Sequence, residues 1–271
     1  MTLHDISDVL RHALPSSGCL GLPVHHYETI DSTMTEAARL AENGAPAGTM
    51  ILAETQTDGR GRLGRHWVSE SSAGIYFTLI LRPEIPPASA PVLTLMAGVS
   101  LATVAESLVP GAVDLRWPND LLINGKKCAG ILVEMRAEHQ RIEHVLLGIG
   151  INVNQTEFPE GLETPPSSLQ LEAGRPIQRA DILISLLRQL DADYNSLLAS
   201  GVASGVASGA AQTVRRFEAI SSYARGKRVR VGEAGNFITG TTAGLTAEGV
   251  LQLRRDDGGI EKIVAGHVRP L

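Results

Sequence analysis

The stretch GRGRLGR, residues 59–65, sets three arginines among three glycines. Glycine lets backbone N–H groups approach a ligand closely, and arginine offers a planar, permanently charged fork to phosphate or carboxylate oxygens. The pattern therefore indicates a loop that holds an anion. Two alternatives stay open at this point: a solvated turn with scattered charge, and an RGG-like nucleic-acid-binding segment, which usually carries repeats and aromatic residues.

Three further polar features follow this loop along the chain. Pro118 in RWPND, residues 116–120, interrupts any strand ladder, so the stretch indicates a shaped edge that carries a carboxylate, Asp120, and an amide. Lys127 lies just before an apolar run, where it either faces a site or points outward as an ordinary surface residue. In GIGINVN, residues 148–154, the glycines taken alone indicate no more than close strand packing.

Capping residues and periodicity predict the elements on either side of the loop. Asp31, Ser32 and Thr33 are good N-cap residues, and Thr33 with Glu36 fits a capping box. The helix that they start is predicted to stop at Asn43-Gly44. GTMILAET then predicts a strand that runs directly into the loop, and GIYFTLILRP predicts the strand that follows it.

The next part of the chain alternates helical and strand patterns. Residues 91–108 are apolar at helical spacing and predict a buried helix, whereas HVLLGIGINVN predicts a strand. Asn124-Gly125 is a strong two-residue hairpin signal between DLRWPNDLLI and KKCAGILVEM. Residues 180–199 predict an amphipathic helix, and GVASGVAS, residues 201–208, predicts a flexible connector from its glycine and serine content.

From about residue 225 the pattern changes to short strands separated by glycine-rich turns. The stretches are RGKRVRVG, NFITGTTAGLT, GVLQLRRDD and IEKIVAGHVRPL. They predict a small all-β barrel. The chain as a whole is therefore predicted to combine a mixed domain of helices and strands with a C-terminal β module.

Composition limits the classes of function. The 271 residues carry a formal net charge of -5, whereas a dedicated nucleic-acid binder is usually basic. Two cysteines, Cys19 and Cys128, indicate a reducing compartment and no disulfide framework. No basic start with an apolar run and no stretch of about eighteen consecutive apolar residues is present. These features predict a cytoplasmic protein without a membrane span.

Taken together and in this order, five motifs resemble those of the biotin protein ligases, also called biotin–acetyl-CoA-carboxylase ligases. The motifs are IDSTMTEA, ETQTDGRGRLGRHW, RWPND, KKCAGILVE and GIGIN, and they fall within residues 27–154. The combination is highly specific, although each motif alone is weak or moderate. Three departures from the family pattern occur: Met34 replaces the usual Asn, Leu63 replaces a frequent Arg, and Arg116 replaces the usual Lys.

The resemblance implies an α+β fold of the class II aminoacyl-tRNA-synthetase-like type. A mixed sheet with flanking helices is expected, followed by an SH3-like β-barrel. The implied division is an N-terminal lead over residues 1–24, a catalytic domain over 25–222 and an SH3-like domain over 223–271. This corresponds to the short form of the family, without the N-terminal DNA-binding domain of some longer members.

The resemblance also implies an activity. Biotin is activated by ATP, with Mg²⁺, as biotinyl-5′-AMP, and is then transferred to a lysine of a biotin carboxyl carrier protein, a subunit or domain of acetyl-CoA carboxylase. The implied partners include neither nucleic acid nor membrane, and the implied oligomeric state is a monomer or a homodimer.

Roles for individual residues follow from the same resemblance. The catalytic residues implied are Lys127, Arg62 and Asp120. Biotin is expected to contact Ser32, Thr33, Met34, Gln56, Arg60 and Gly61, together with Arg62 and Lys127. ATP and the adenylate are expected to contact Gly59, Arg62, Arg65, Trp67 and Asn152. No residue is assigned as a metal ligand, since Mg²⁺ commonly binds through phosphates with few protein oxygens.

Three competing functions are kept. A lipoate– or octanoate–protein ligase shares the fold but generally lacks GRGRxGRxW together with WPND. A DNA-binding, biotin-responsive repressor needs a winged helix before the catalytic domain, which is predicted to start near residue 25. A non-enzymatic biotin-binding scaffold is disfavoured by the presence of Lys127, Asp120 and all three loop arginines.

Overall fold

A seven-stranded mixed sheet forms the centre of the protein. The computed structural model describes residues 6–14, 20–203, 206–233 and 236–271, so Cys19 lies outside the described residues. The strands are β1 (Val24–Ile30), β2 (Met50–Gln56), β3 (Gly74–Leu81), β4 (Val113–Arg116), β5 (Asp120–Ile123), β6 (Lys126–Glu138) and β7 (Arg141–Asn152). Their order in the sheet is β1-β2-β3-β7-β6-β5-β4. The pair β1–β2 is parallel and the other neighbours are antiparallel, which confirms the predicted mixed sheet.

Helices cover both faces of this sheet. They are α1 (Ile6–Ala13), α2 (Thr33–Glu42), α3 (Pro91–Glu106), α4 (Leu169–Ala173), α5 (Arg179–Ala203) and α6 (Val206–Ile220). On one face, α3, α5 and α6 pack against one another and against the main core. On the opposite face, α2 buries Met34 and Ala37 in a smaller cluster with Ile51, Ile80 and Leu146. Because side chains alternate along a strand, β7 presents Gly148 to the same face as α2.

The start of α2 differs from the prediction in one detail. Its N-cap is Ser32, whose hydroxyl accepts a hydrogen bond from the N–H of Met34. The predicted capping box is wrong, because the Glu36 carboxylate instead accepts hydrogen bonds from the Tyr27 hydroxyl and the Arg39 guanidinium. The predicted stop is confirmed, since Asn43 is the C-cap residue and Gly44 follows it with positive φ.

The predicted flexible connector at residues 201–208 is wrong in the parts that the structure describes. Helix α5 continues to Ala203 and α6 begins at Val206, whereas residues 204–205 lie outside the described residues. Glycine and serine disfavour a helix interior, but packing overrides that weak preference. Val214 and Phe217 of α6 are buried in the main core, which stabilises a helix that the sequence patterns missed.

Helix α3 is the most apolar of the described helices. Together with the turn before it, Pro87–Glu106, it is long and apolar enough to cross a membrane by length and composition. Two thirds of its most apolar window, 67%, is buried inside the protein, where it packs against α5 and α6. This burial identifies α3 as the predicted core helix.

The C-terminal strands form a second, antiparallel sheet. They are β8 (Arg225–Glu233), β9 (Asn236–Leu245), β10 (Leu251–Arg254), β11 (Ile260–Ile263) and β12 (His267–Pro270), in the order β11-β10-β9-β8-β12. The described pairings leave β11 and β12 as the two edges, so the predicted closed barrel is corrected to an open, SH3-like sheet. Barrel closure requires the two edge strands to pair, and no pairing joins β11 to β12 among the described residues.

Candidate active site

The motif GRGRLGRHW forms a tight hairpin above the sheet. The N–H of Gly61 donates to the carbonyl of Arg65, and the N–H of Trp67 donates to the carbonyl of Gly59, both at 2.7 Å. Leu63 and Gly64 turn the chain at the tip with left-handed φ angles of 60° and 72°. A Cβ atom at Gly59 would collide with the carbonyl oxygen of Trp67, so the close approach of the two strands requires glycine there.

Each of the three loop arginines contacts a different segment of the protein. The pairs are Arg60 Nη2 with Glu134 Oε1 at 2.7 Å, Arg62 Nη1 with Asn119 Oδ1 at 3.3 Å, and Arg65 Nη2 with Glu163 Oε2 at 3.2 Å. A guanidinium has five N–H donors, so each arginine can hold its protein partner and an anion together. The loop is therefore docked onto the protein while its cationic groups face the same cavity.

Two paired glycines form the floor of this cavity. Gly130 of β6 lies opposite Gly150 of β7, and the indole of Trp67 rests on both. A Cβ atom would lie 2.6 Å from Trp67 Cε2 at Gly150 and 2.9 Å from Trp67 Cζ3 at Gly130. The same holds for Gly148, where a Cβ atom would lie 2.7 Å from Met34 Sδ. These glycines therefore make room for side chains of the loop and of α2.

Replacing Gly150 with alanine should expel the Trp67 indole from this floor. The added methyl overpacks the contact, which typically costs about 1–3 kcal/mol. We expect a lower urea midpoint and a red shift of tryptophan emission, because Trp117 stays buried and only Trp67 gains solvent. Gly98→Ala is the matched control, since its methyl would meet neighbours at 3.6–3.8 Å and favours helix α3. An unshifted emission spectrum in Gly150→Ala would contradict the assigned position of Trp67.

A buried carboxylate fixes the position of Lys127. Asp120 Oδ1 lies 2.6 Å from Lys127 Nζ, and Asp120 Oδ2 accepts a hydrogen bond from Arg116 Nη2, also at 2.6 Å. Burial alone raises the pKa of Asp120, but the charges of Lys127 and Arg116 outweigh burial and hold that pKa below its usual range. Asp120 is therefore ionised, and the Lys127 side chain, which is 28% exposed, lines the cavity rather than pointing outward.

A polar cluster closes the other end of the cavity. The N–H and hydroxyl of Thr33 donate to Gln56 Oε1 at 2.8 and 3.0 Å, and the Thr78 hydroxyl donates to Thr33 Oγ1 at 2.9 Å. Gln56 Nε2 donates in turn to the Ser69 hydroxyl at 3.0 Å. The cluster adjoins the apolar Met34 side chain, so this end combines donors, acceptors and an apolar wall.

The cavity has a volume of about 230 Å³ and brings together most of the residues predicted from the motifs. Those in its wall are Thr33, Met34, Gln56, Arg60, Gly61, Arg62, Arg65, Trp67, Asp120, Lys127 and Asn152. Two predicted residues lie outside the wall: Ser32 caps α2, and Gly59 supports Trp67 from behind. The amide of Asn152 donates to the carbonyl of Ser167 at 3.0 Å, which fixes its orientation at the cavity edge.

The motif analysis missed other parts of the wall. The segment 157–166 contributes Phe158, Leu162 and Glu163, and the C-terminal sheet contributes His267. Burial and the nearby Arg65 guanidinium lower the pKa of His267 to about 4, so this imidazole is neutral at pH 7. Neither part carried a local pattern, because both reach the cavity only through tertiary packing.

The donor groups around the cavity determine how it could hold a metal ion. Within the described residues no group of three or more His, Cys, Asp or Glu side chains is placed to hold a metal ion. A Mg²⁺ ion that arrives on nucleotide phosphates needs only one or two protein oxygens and keeps several waters. The donor set in the cavity fits an ion delivered in that way rather than a dedicated protein cage.

Two family models match this chain. The Biotin/lipoate A/B protein ligase family matches residues 27–152, which contain the loop, RWPND, Lys127 and the GIGIN motif. The Biotin protein ligase C terminal domain matches residues 225–268, which form most of the second sheet. The two matches thus cover the predicted site residues and His267, whereas segment 157–166 of the cavity wall lies between them.

Individual proteins with the same arrangement support these matches. The chain is 37% identical over 253 residues to the bifunctional ligase/repressor BirA of Bacillus subtilis, covering 92% of this chain and 74% of that protein. It is 37% identical over 160 residues to the biotin–[acetyl-CoA-carboxylase] ligase of Paracoccus denitrificans, covering 56% and 65%. The biotin protein ligase of Aquifex aeolicus, solved with biotin and ATP, superposes with a TM-score of 0.72 at 29% identity, covering 92% and 99%.

Proposed function

This chain belongs to the biotin/lipoate A/B protein ligase family, and we propose that it activates biotin with ATP and transfers it to a lysine of a biotin carboxyl carrier protein. In the first step a biotin carboxylate oxygen attacks the α-phosphate of ATP, and the bond to pyrophosphate breaks. In the second step the acceptor amine attacks the acyl carbon of biotinyl-5′-AMP, forms an amide, and releases AMP and a proton. The observation that carries the proposal is the convergence of the family motifs on one cavity, with Lys127 held there by buried Asp120.

Lys127 and Asp120 are proposed to act as a unit. The Lys127 ammonium reduces the repulsion between the biotin carboxylate and the α-phosphate, and later polarises the acyl carbonyl. Asp120 fixes the ammonium from behind, and Arg116 neutralises the second carboxylate oxygen. A carboxylate held in this way can also take part in accepting the proton that the attacking amine loses.

The Gly/Arg loop is proposed to cover the nucleotide side of the site. Arg62 and Arg65 would contact phosphate oxygens, and Arg60 would lie beside the biotin carboxyl side. Trp67, whose Nε1 is buried without a hydrogen-bond partner among the described residues, would order the closed loop against the adenylate. Closure excludes water, which would otherwise hydrolyse the mixed anhydride.

The polar cluster at the opposite end is proposed to bind the biotin ring. A ureido group has two N–H donors and one carbonyl acceptor, and the Thr33 hydroxyl with the Gln56 amide offers partners of both kinds. Met34 adds an apolar surface to this end and packs on Gly148. Ser32, as the helix cap, would act by holding Thr33 in place.

The proposal also includes a metal ion, a carrier protein, a location and a division of the chain into domains. Mg²⁺ would accompany ATP and supply charge neutralisation at its phosphates. The carrier would be a subunit or domain of acetyl-CoA carboxylase, and the protein would act in the cytoplasm as a monomer or homodimer. The proposed functional division remains a lead over residues 1–24, a catalytic domain over 25–222 and an SH3-like domain over 223–271.

Acid-dependent ATP–pyrophosphate exchange tests the proposal directly. Purified protein with Mg²⁺ should exchange label into ATP with biotin, and should not do so with lipoate, octanoate or no acid. Exchange with lipoate or octanoate instead would assign this protein the activity of a lipoate– or octanoate–protein ligase. The proposed roles of Thr33 and Gln56 in binding the biotin ring would then be wrong. Absence of exchange with every acid, combined with measurable biotin binding in a titration, would indicate a binding protein or an adenylate held too tightly to reverse.

Replacing Arg62 with alanine should weaken the adenylate more than biotin. Arg62 faces the nucleotide side and contributes charge-assisted hydrogen bonds, each worth about 1.5–3 kcal/mol to a charged partner. We expect the Kd for a non-hydrolysable adenylate analogue to rise by more than tenfold, with a much smaller change for biotin, in paired calorimetric titrations. An equal loss for both ligands would make Arg62 a structural residue, acting through its contact with Asn119.

A further inference from the structure

Glu163 joins three segments of the protein at the mouth of the cavity. We propose that it is a positioning residue, which clamps the Gly/Arg loop to the C-terminal sheet and so retains the acyl-adenylate until the acceptor lysine arrives. The proposal rests on the function proposed above for the same cavity. It concerns a residue that lies in no family motif quoted above and in neither of the two matched regions.

The geometry of the clamp is a carboxylate shared between two guanidinium groups. Glu163 Oε2 accepts a hydrogen bond from Arg65 Nη2 of the loop at 3.2 Å, and Glu163 Oε1 forms an ion pair with Arg269 Nε of β12. Arg65 and Glu163 are 98 residues apart in the sequence. One side chain therefore connects the loop, the segment 157–166 and the second sheet.

Several arginine side chains surround Glu163, and its carboxylate offsets their positive charge. A second cavity of about 210 Å³ adjoins the site and is lined by the arginines Arg65, Arg116, Arg230 and Arg269. Among the described residues that line it, Glu163 is the one carboxylate. Burial alone raises the pKa of Glu163, but Arg269 and Arg65 outweigh burial and lower that pKa, which keeps the carboxylate charged. Without it, like charges on the loop and on β12 would repel one another.

The clamp holds one side of the loop while another ion pair holds the other side. Arg60 of the loop contacts Glu134 of β6 at 2.7 Å, a different segment from the one that Arg65 contacts. Arg65 uses one N–H donor for Glu163, so its other donors stay available for a phosphate oxygen. Loss of Glu163 is therefore expected to loosen the closed loop without removing an arginine from the site.

Adenylate retention gives the first test. The enzyme would be loaded with biotin and α-labelled ATP in the presence of pyrophosphatase, desalted, and followed for release of labelled adenylate and AMP without carrier. We expect Glu163→Gln to release label about three- to tenfold faster than the wild type, because two partly exposed ion pairs each contribute little binding energy. The KM for ATP should stay the same or fall, because the arginine-lined cavity becomes more positive.

Glu261→Gln is the matched control for this measurement. Glu261 pairs with Arg255 at 3.3 Å, and its side chain is 35% exposed, against 3.2 Å and 41% for Glu163 with Arg65. It lies on β11, away from the site, and should retain the adenylate like the wild type. Equal release rates for wild type and Glu163→Gln would overturn the clamp.

A double-mutant cycle separates clamping from a general structural defect. If Glu163 and Arg269 act as one unit, Arg269→Gln should also speed release, and the double variant should release no faster than Glu163→Gln alone. Additive effects of the two substitutions would show that they act independently and would remove Arg269 from the clamp. Urea unfolding of all variants shows whether global stability follows the release rates.

Limited tryptic digestion tests the clamp without any catalytic activity. The loop offers trypsin three arginines, and docking protects them, so Glu163→Gln should be nicked within residues 59–65 faster than wild type or Glu261→Gln. If Glu163→Gln is nicked faster but the wild type exchanges no pyrophosphate, the clamp is supported and the proposed function is rejected. Normal exchange with unchanged nicking and unchanged release would reject the clamp and retain the function.

Discussion

Replacing Lys127 with glutamine should lower the turnover of biotin-dependent ATP–pyrophosphate exchange by about 10²- to 10³-fold. One fixed electrostatic donor in a water-excluded site typically contributes about 3–4 kcal/mol to the transition state. The Lys127 ammonium is the cation that Asp120 fixes from behind at 2.6 Å, so no neighbouring group can move into its place without leaving its own partner. The measurement is steady-state exchange at saturating ATP over a series of biotin concentrations.

Lys126→Gln is the matched control for this prediction. Lys126 precedes Lys127 in β6, but its side chain is 49% exposed and its ammonium pairs with Glu172 at 3.0 Å, outside the cavity wall. Its substitution should leave exchange unchanged. Exchange at a wild-type rate in Lys127→Gln would remove this lysine from the adenylation step. A higher KM for biotin at unchanged turnover would mean that Lys127 binds biotin equally in the ground state and the transition state.

The local elements were predictable because short-range physics decides them. Strands β2, β3 and β7 are apolar stretches with clear ends. The Asn124-Gly125 turn has the positive φ angles that its hairpin type requires. The hairpin between β5 and β6 is confirmed by their antiparallel pairing. Gly130 pairs with Gly150 only in the register that the structure shows, and strand alternation alone does not set that register.

The parts that were not predictable depend on contacts between distant segments. Helix α6 forms in a glycine- and serine-containing stretch because Val214 and Phe217 find partners in a core built by other helices. His267 and Glu163 reach the cavity from regions without a motif, one on β12 and one in an irregular segment. A local pattern carries no information on such convergence, and only the packed fold shows it.

The contact between the two sheets is a further feature that depends on distant segments. The Nε1 of Trp117 donates to the carbonyl of Gly249 at 2.9 Å, which ties the RWPND turn to the C-terminal module. Trp117 is buried at 3% exposure, and its polar atom is satisfied by the second sheet. The edge that positions Asp120 is thus stabilised by residues more than a hundred positions away.

Replacing Asp120 with asparagine should destabilise the fold and remove an acid-sensitive part of its stability. Asp120 is 5% exposed and neutralises both Lys127 and Arg116, so the variant leaves two cations without their shared counter-charge. Breaking a buried pair costs about 3–5 kcal/mol, and partial exposure of Lys127 reduces this to about 2–3 kcal/mol. Urea unfolding at pH 7 should show this loss of unfolding free energy.

The stabilisation of the fold by Asp120 depends on pH. The pKa of Asp120 is lower in the folded protein than the value of about 3.9 in an unfolded chain, so its stabilisation is fully present above that value. The stabilisation is lost as pH falls through the folded pKa, so the gap between wild type and Asp120→Asn should narrow below about pH 4. Asp256→Asn, which breaks an exposed pair with Arg228, should unfold like the wild type at pH 7. A gap that stays constant down to pH 3 would show that Asp120 stabilises the site through packing rather than through its charge.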